Sequence, residues 1–251
     1  MNISAFNTEK VTPRSTTLEH LLNSYVLEIH ERSVLVITSK IVSLCEGRVI
    51  QKNHAEKNDF VPQEAEYYLP PSKSKYNITL TINHNLLIPS AGIDESNGNG
   101  NLILWPEDPQ KTANNVRAYL KKRFGLTHVG VIISDSKTTP LRWGTTGTAL
   151  SHSGFSALND FIGKPDVFGR LLTMTKVNVM DALASAAVLV MGESNEQTPL
   201  AVITDVPFVE FQDRNPTDKE LKSLYIDLDD DVYEPLLTAV EWEKGKKKKS
   251  F

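Results

Sequence analysis

Two short β-branched runs most constrain what this chain can fold into. The first is Ser33–Thr38 and the second covers residues 128–134, and both are apolar between their end residues. A short apolar run rich in Val and Ile is typical of a buried strand. The second run leads directly into Asp135 and Ser136, so polar side chains follow a buried strand.

Two longer segments have the signals of helices. Asp108 and Pro109 supply an N-cap and a first turn ahead of an apolar face that ends at Gly125. Val179–Met191 is largely apolar and is followed by Gly192. Because helices and strands alternate irregularly, with few even β-α-β repeats, we predict a mixed α+β fold rather than a doubly wound parallel sheet.

Shorter signals predict the remaining elements. Residues 51–75 are polar and contain three prolines, so we expect them to be irregular. The other expected elements are a helix after the capping-box pair Thr16 and Glu19, a strand over residues 77–82, a turn-rich loop over residues 90–101, a strand over Leu200–Thr204, a short helix opened by Asn215-Pro216 and a last helix after Asp231.

Composition limits the class of protein. The chain has 251 residues, of which 40% are hydrophobic and 23% are charged, as is typical of a globular protein. Its longest apolar run, residues 182–191, is well short of the roughly 20 residues that span a bilayer. The first seven residues show no secretory signal, and the single cysteine, Cys45, excludes an intrachain disulfide. We therefore expect a cytoplasmic protein without a membrane segment.

The net charge of −4 is unevenly distributed. Five of the 27 basic residues are lysines within the last eight residues, and the rest of the chain carries 22 basic against 31 acidic groups. An acidic body binds nucleic acid poorly, so we expect phosphates to be bound through divalent metal held by carboxylates. Residues 244–251 are expected to form a solvated, mobile tail, and nucleic acid is not an expected partner.

The common motifs of nucleotide and hydrolase sites are missing. The sequence has no Gly-x-x-x-x-Gly-Lys-Ser/Thr and no Gly-x-Gly-x-x-Gly after a strand, so neither common phosphate loop is expected. The six histidines form no His-Glu-x-x-His pair, and no Gly-x-Ser-x-Gly elbow occurs. These absences argue against a zinc hydrolase and a serine hydrolase.

Three carboxylates next to predicted elements are candidate metal ligands. Asp94 lies in a loop between Gly92 and Gly98, Asp135 follows a buried strand, and Glu193 follows an apolar helix. Their hard oxygen donors suit Mg²⁺ or Mn²⁺. Taken singly, each also has a structural interpretation, as a turn aspartate, a strand-end cap or a surface acid.

Two arginines are candidates for binding a phosphate or a carboxylate. Arg142 follows Pro140 and Arg170 follows Gly169, and a guanidinium can bind either anion with two hydrogen bonds. An exposed salt bridge is the alternative for each arginine, and Lys40 has the same two interpretations.

Five segments in order resemble one known family. They are residues 38–48 (Thr-Ser-Lys-Ile-Val-Ser, then Glu-Gly-Arg), 91–97 (Ala-Gly-Ile-Asp-Glu-Ser-Asn), 133–144 (Ile-Ser-Asp-Ser, then Pro-Leu-Arg-Trp-Gly), 166–170 (Asp-Val-Phe-Gly-Arg) and 191–199 (Met-Gly-Glu-Ser-Asn-Glu-Gln-Thr-Pro). With this spacing the chain resembles the coenzyme F420:L-glutamate ligases over about residues 33–205.

The resemblance implies an enzyme that adds γ-linked glutamate to a deazaflavin cofactor precursor. It implies GTP (or ATP) as co-substrate, two Mg²⁺ or Mn²⁺ ions, and an association with K⁺. The implied structure is an α+β fold of mixed sheets and packed helices, in two intimately joined subdomains, that assembles as an intertwined homodimer. Since a carboxylate is a poor electrophile, the chemistry requires its activation as an acyl phosphate before the glutamate amine attacks.

By motif position, the resemblance also implies the site residues. Asp94 and Asp135 would bind the first metal ion, and Ser136 and Glu193 the second. The residues implied to contact the nucleotide are Ser39, Lys40, Asn97, Met191, Gly192, Ser194, Asn195, Glu196, Gln197 and Thr198. Lys10 is a substitute for an N-terminal element of the family that this chain lacks, and we expect Arg142 or Arg170 to hold a phosphate or a carboxylate.

Besides the missing N-terminal element, the chain departs from the family pattern in two places. Leu44 stands where the family usually has a lysine near the nucleotide, and an arginine of the family is replaced near Thr138-Thr139. A deazaflavin precursor is therefore the first hypothesis for the acceptor, and another carboxylate such as a folate is the second. A third hypothesis is that the chain is a non-catalytic homologue that binds a nucleotide.

We expect residues 1–205 to form the ligase-like domain and residues 206–243 a helical extension.

Overall fold

The computed structural model describes residues 1–52 and 56–247, which form thirteen strands and seven α-helices. The strands are β1 (Asn2–Phe6), β2 (Ser33–Thr38), β3 (Val49–Gln51), β4 (Tyr67–Leu69), β5 (Leu80–Asn83), β6 (Leu86–Pro89), β7 (Asn101–Ile103), β8 (Val129–Thr138), β9 (Thr145–Ser153), β10 (Leu158–Asp160), β11 (Lys176–Asn178), β12 (Leu200–Thr204) and β13 (Glu243–Lys244). The helices are α1 (Leu18–Tyr25), α2 (Ser39–Glu46), α3 (Lys57–Glu64), α4 (Pro109–Phe124), α5 (Val179–Met191), α6 (Asp218–Lys222) and α7 (Glu234–Leu237).

A five-stranded mixed sheet forms the centre, in the order β1-β12-β2-β8-β9. β2 and β8 are parallel, and the other neighbouring pairs are antiparallel. The two β-branched runs are the paired strands β2 and β8, which confirms the prediction that both are strands. β8 continues to Thr138, beyond the predicted end at Ser134, because its second half pairs with β9. The mixed α+β class is confirmed.

Helices cover both faces of this sheet. Leu35 and Ile37 of β2 belong to the core that includes residues of α1, α2 and α4, whereas Val34 and Val36 pack with residues of α5. All four side chains are fully buried. Burial on both faces explains why the run has no alternation of polar and apolar residues.

The two long helices match their sequence signals. The side chain of Asp108 caps α4 by accepting from the N–H of Lys111 at 2.8 Å, and Gly125 ends that helix in the left-handed conformation. α5 has the predicted bounds, with Asn178 as its N-cap. No helix among the described residues has both the length and the apolar character needed to cross a bilayer.

Several boundaries differ from the prediction. Thr17 rather than Thr16 is the N-cap of α1, and it accepts from the N–H of His20 at 3.1 Å. The strand expected over residues 77–82 is β5, which begins three residues later. The short helix expected after Asn215-Pro216 is α6, and the last helix is α7. The strand at Leu200–Thr204 is confirmed as β12.

A second, antiparallel sheet has the order β13-β4-β5-β6. The prediction that residues 51–75 are irregular is wrong, since they include α3 and β4. α3 forms despite Pro62 because Glu56 and Asp59 satisfy each other's backbone N–H groups at its start. Val61 on the same helix is fully buried and joins it to the core.

The lysine-rich end of the chain is attached to this second sheet. β13 pairs with β4, and the N–H of Gly245 donates to the carbonyl of Glu66 at 2.9 Å. A Cβ atom on Gly245 would lie 1.9 Å from the carbonyl oxygen of Ala65, so a larger residue does not fit here. Residues 244–247 are therefore attached to the second sheet, whereas we expected residues 244–251 to form a solvated tail. Residues 248–251 lie outside the residues that the structure describes.

His152 of β9 makes the stability of the fold depend on pH. Its side chain is 2% exposed, and burial lowers the pKa of the imidazole from 6.5 to about 4, against an opposing effect of the charge of Glu220. Between these values the unfolded chain binds a proton that the folded chain does not, so stability is complete above pH 6.5 and falls toward pH 4. The loss from this residue is on the order of 3 kcal/mol.

We therefore predict that His152→Gln reduces the pH dependence of the free energy of unfolding between pH 6.5 and 4. Urea unfolding at several pH values measures this dependence. His30→Gln is the matched control, because His30 is exposed and its replacement should leave the dependence as in the wild type. An unaltered pH dependence in His152→Gln would contradict the prediction.

Candidate active site

Two parallel strands bring polar residues to one edge of the central sheet. β2 ends at Thr38, which lies in register with Ser134 of β8. α2 follows at once with Ser39 and Lys40 in its first turn, while Asp135 continues along β8. Functional groups commonly lie at the carboxyl ends of parallel strands. Lys40 and Asp135 are 95 positions apart in the sequence. The pairing of β2 with β8 brings both of them to this edge.

A β-bulge lies next to Asp135. The register of the β8–β9 pair shifts between Ile133 and Ser134, so Leu150 of β9 has no direct partner. Bulges often lie near active sites, because the extra residue changes the direction in which the following side chains point. Asp135 is thus inside a strand, immediately beyond an irregularity, and the interpretation of it as a strand-end cap is wrong.

A strained turn precedes Asp94. Residues 90–92 all have positive φ angles, between 54° and 77°, a region that residues other than glycine rarely adopt. Ala91 is held there by two hydrogen bonds with β5. Its N–H donates to the hydroxyl of Thr81 at 2.9 Å, and its carbonyl accepts from the amide of Asn83 at 3.1 Å. The second sheet therefore determines where Asp94 lies.

Lys40 neutralises Asp94. Its Nζ atom lies 2.6 Å from Oδ2 of Asp94 and donates to the hydroxyl of Ser96 at 2.9 Å. Ser96 also donates its N–H to Oδ1 of Asp94 at 2.7 Å and its hydroxyl to Oδ2 at 3.0 Å. Burial raises the pKa of Asp94, but the contacts of Lys40 and Ser96 outweigh burial and hold the pKa below its ordinary value of 3.8.

Asp135 has less compensation for its charge. The indole Nε1 of Trp105 donates to Oδ2 of Asp135, and the N–H of Ser136 donates to Oδ1 at 2.9 Å. Burial nevertheless raises the pKa of Asp135 to about 6, and the charge of Asp94 adds to the rise. Burial therefore outweighs both hydrogen bonds and the charge of Lys40, and carboxyl groups with raised pKa values cluster at functional sites.

The loop after α5 brings a third acid to the same place. The pKa of Glu193 is raised mainly by burial, and the nearby side chain of Ser136 opposes the rise. The charge of Asp94 raises that pKa further, while the charge of Lys40 opposes the rise. Asp94, Asp135 and Glu193 therefore share one electrostatic environment that includes Lys40.

Polar contacts position the loop between α5 and β12. The amide of Asn97 donates to the carbonyl of Ser194 at 2.8 Å, which joins two of the predicted nucleotide-binding segments. The side chain of Asn7 donates to the carbonyl of Glu196 at 2.6 Å. Two segments predicted to bind one nucleotide are thus in contact. They contain Asn97, Gly192, Ser194, Asn195, Glu196, Gln197 and Thr198.

Three predicted residues are not connected to this cluster, and a fourth is buried. In residues 1–52 and 56–247, the side chains of Arg142, Arg170 and Lys10 make no hydrogen bond or ion pair, and all three are exposed. Arg142 lies in the turn between β8 and β9, and Arg170 in the loop between β10 and β11. Met191 is 2% exposed and packs in the core, and its carbonyl accepts from the hydroxyl of Thr198.

Trp105 also belongs to the site, although no sequence pattern predicts it. The indole is 2% exposed and passes so close to Gly92 that a Cβ atom there would lie 2.1 Å from Cε2 of the ring. Gly92 is therefore needed both for its positive φ angle and for the space that the indole occupies. No local spacing indicates this contact, which joins a turn to the second residue after β7.

The donors suit a hard cation, although a ligand cage is not preformed. Among the described residues, no group of three or more His, Cys, Asp or Glu side chains is arranged to hold a metal ion. Asp94, Asp135, Glu193 and the hydroxyl of Ser136 are nevertheless oxygen donors of the kind that Mg²⁺ and Mn²⁺ prefer. Burial raises the pKa of Asp135 and of Glu193, and a cation beside them would favour their charged forms. The residues fit such a cation chemically, and Lys40 would compete with it for Asp94.

We predict that Trp105→Phe raises the pKa of Asp135 above its value of about 6, because the indole hydrogen bond stabilises the charged carboxylate. A carbon-13 NMR titration of the metal-free protein measures this pKa. Trp242→Phe is the matched control, since the indole of Trp242 donates to the carbonyl of Leu237 instead. A pKa that stays the same or falls in Trp105→Phe would refute the role of the indole.

Comparison with known proteins identifies the family. The family model described as F420-0:Gamma-glutamyl ligase matches residues 7–205. A Coenzyme F420:L-glutamate ligase of Methanococcus maripaludis is 37% identical over 221 residues, which cover 82% of this chain and 86% of the relative. A relative of the same name from Methanopyrus kandleri is 35% identical, and the matched region covers 77% of this chain and 82% of the relative. Another from Methanocaldococcus jannaschii is 34% identical, and the matched region covers 76% of this chain and 82% of the relative. The resemblance of the five segments is confirmed, and the chain belongs to the F420-0:gamma-glutamyl ligase family.

Proposed function

We propose that this chain joins the amine of L-glutamate to a carboxylate of a coenzyme F420 precursor, of the F420-0 type, with GTP or ATP as co-substrate. The name of its relatives, Coenzyme F420:L-glutamate ligase, supports the substrates. The observation that carries the proposal is the cluster of Lys40, Asp94, Asp135 and Glu193 at one edge of the sheet. Acids grouped around a lysine at a helix start suit phosphates bound together with cations.

The reaction requires an activated acceptor, because the negative charge of a carboxylate repels an attacking amine. In the proposed first step, an oxygen of the acceptor carboxylate attacks the terminal phosphorus of the nucleotide and the nucleoside diphosphate leaves. In the second step, the neutral amine of glutamate attacks the carbonyl carbon of the acyl phosphate. The C–N bond forms, inorganic phosphate leaves, and the proton of the amine passes to solvent.

We assign the nucleotide phosphates to the start of α2. The first N–H groups of a helix have no partner within the helix and carry partial positive charge. Ser39 and Lys40 lie in this first turn, and the ammonium group of Lys40 adds a full charge. The segment 191–198 together with Asn97 would contact the rest of the nucleotide, as the hydrogen bond of Asn97 to Ser194 supports.

We assign one Mg²⁺ or Mn²⁺ ion to Asp94 and Asp135, and a second to Ser136 and Glu193. Divalent cations bound there would neutralise the charge that develops on the transferred phosphoryl group. Asp135 and Glu193 would be held fully ionised by such charge, since a nearby cation lowers the pKa of a carboxyl group. Lys40 would then be released from Asp94 and could turn to a phosphate.

A direct assay tests the proposal. The purified chain is incubated with F420-0, L-glutamate, Mn²⁺ and GTP or ATP, and the products are analysed by mass spectrometry. We expect the acceptor to gain one or more glutamyl units, with one phosphate released per amide bond. A gain with a folate but not with F420-0 would reassign the acceptor. Binding of the nucleotide without any gain would contradict ligase activity.

Asp135→Asn is predicted to lower the rate of glutamate transfer by about 100-fold or more, because the amide carries no charge to hold a cation. The rate is measured at limiting Mn²⁺, where a weakened metal site has its greatest effect. Asp229→Asn is the control, since Asp229 is exposed and belongs to the C-terminal extension. Full activity of Asp135→Asn under these conditions would refute the metal assignment.

We also propose that the chain forms a homodimer through two exposed loops. Leu141 and Trp143 in the β8–β9 turn are 104% and 98% exposed, and Phe168 in the β10–β11 loop is 93% exposed. Large apolar side chains that are left exposed often mark an interaction site. A second copy of the chain would cover them and would also approach Arg142 and Arg170, which lie on the same two loops.

Trp143→Ser is predicted to raise the dissociation constant of the dimer at least tenfold, as is common for a buried interface tryptophan (about 1.4 kcal/mol or more). Sedimentation equilibrium measures the constant. Leu27→Ser removes an apolar side chain that is 73% exposed on another part of the surface, and it should leave the constant unchanged. A wild-type chain that stays monomeric would contradict the homodimer.

A further inference from the structure

The C-terminal segment, defined here as residues 243–247, is attached to the second sheet along its length. After the pairing of β13 with β4, its last three residues each donate a backbone N–H to the body of the protein. The N–H of Lys246 donates to the carbonyl of Pro62 at 2.8 Å, and the N–H of Lys247 donates to the carbonyl of Ala65 at 3.2 Å. Hydrogen bonds from consecutive residues give this part of the chain one defined position.

This position places the ammonium group of Lys247 among charged side chains. Its Nζ atom is buried, and in the described part of the chain it makes no direct hydrogen bond. Burial lowers the pKa of Lys247 and the charge of Arg48 adds to the lowering, whereas the charges of Glu64 and Glu66 oppose it. Two cations and two carboxylates thus lie close enough to influence one another. Their attraction offsets part of the cost of removing an ammonium group from water.

Each of the two glutamates also holds a residue that contacts Trp105. Oε2 of Glu64 accepts from the guanidinium of Arg48 at 2.8 Å, and Nε of Arg48 donates to the carbonyl of Trp105 at 3.2 Å. Oε1 of Glu66 accepts from the N–H of His84 at 3.0 Å. The ring of His84 packs edge to face on the indole of Trp105, with ring centroids 5.7 Å apart. Two series of contacts therefore connect the buried ammonium group with one tryptophan.

His84 packs on the indole as a neutral ring. Burial lowers the pKa of His84 from 6.5 to about 4, and the charge of Lys247 adds to the lowering, against an opposing effect of the charge of Asp108. The imidazole is therefore uncharged at neutral pH. A neutral ring packs on an aromatic neighbour without the cost of burying another positive charge beside Lys247.

Trp105 connects these contacts with the acid cluster. The indole is 2% exposed, and its Nε1 atom donates to Oδ2 of Asp135. The ring also lies against Gly92, where a Cβ atom would overlap it. The indole therefore has little room to move, and its contacts with His84 and Arg48 determine the direction in which its N–H points.

We propose that the C-terminal segment holds Trp105 in place for the acid cluster, and that Lys247 is a positioning residue, which acts on Asp135 through Trp105. The segment lies outside the family match at residues 7–205, whereas Trp105 and Asp135 lie within it. For its effect on glutamate transfer the inference rests on the proposed function. The effect on the indole does not, since it follows from the contacts alone.

Hydrogen exchange of the indole N–H of Trp105 tests the inference in the metal-free protein. Lys247→Met removes the charge but keeps a long side chain. We expect the indole N–H to exchange about tenfold faster in this variant, because a weakened hydrogen bond opens more often. Nitrogen-15 NMR of tryptophan-labelled protein measures the rate, and Trp105→Phe assigns the resonance. The backbone N–H groups of β2 should exchange as in the wild type, because the fold as a whole is unchanged.

Lys246→Met is the matched control, because Lys246 precedes Lys247 but its side chain is exposed. It should leave the exchange rate unchanged, and Lys247→Arg, which keeps the charge, should stay close to the wild type. Gly245→Val is a second variant that acts on the whole segment, since a Cβ atom there would lie 1.9 Å from the carbonyl oxygen of Ala65. It should accelerate exchange of Trp105 at least as much as Lys247→Met does.

Binding of Mn²⁺ relates the segment to the acids. Electron paramagnetic resonance of free Mn²⁺ measures the dissociation constant without any turnover. We expect Lys247→Met to raise this constant about tenfold, at the lower end of the effect of losing a residue that supports a metal ligand. The Mn²⁺ concentration for half-maximal glutamate transfer should rise by the same factor, while the KM for glutamate stays unchanged.

The outcomes separate the role of the segment from the ligase activity. If Trp105 exchange and Mn²⁺ binding change as expected but no glutamate is transferred, the proposed function fails and the positioning role stands. If glutamate is transferred while Lys247→Met and Gly245→Val exchange like the wild type, the positioning role is overturned and the function stands. Equal effects of Lys246→Met and Lys247→Met would also overturn it, as would faster exchange throughout β2.

Discussion

The parallel pairing of β2 with β8 is the constraint on which the site depends. Because Thr38 lies beside Ser134, the first turn of α2 and the continuation of β8 begin at the same edge of the sheet. β12 runs antiparallel to β2 and starts at that edge, so the loop from α5 arrives there as well. A shift of register by one residue would turn every side chain of the shifted strand to the other face and separate Lys40 from Asp135.

The three acids differ in the direction of their pKa shifts because only Asp94 forms an ion pair with Lys40. Lys40 and Ser96 keep Asp94 ionised, whereas Asp135 and Glu193 have pKa values raised by burial that their hydrogen bonds do not offset. The cluster is therefore short of positive charge at neutral pH. The proposed cations would supply positive charge there, although in the described residues the acids do not form a finished cage.

Local patterns predicted the strands and helices whose own residues determine them. The continuous apolar run of β2 and the caps of α4 were sufficient, since burial on two faces and capping act within a few residues. No helix was predicted at α2, since its N-cap Thr38 makes no side-chain cap hydrogen bond that a capping motif could indicate. The acids of the site were found by their positions and by the family motifs, but Trp105 was not, because its contact with Asp135 depends on tertiary packing.

The left-handed turn at residues 90–92 has a consequence for how variation would spread through the molecule. Conformations of this kind cost on the order of 1–3 kcal/mol at each residue and persist only where surrounding contacts enforce them. Thr81 and Asn83 supply those contacts from inside the second sheet, without touching any acid. Relaxation of that turn would release Asp94, so exchanges at two buried polar residues of β5 should be as damaging as exchanges at the carboxylates themselves.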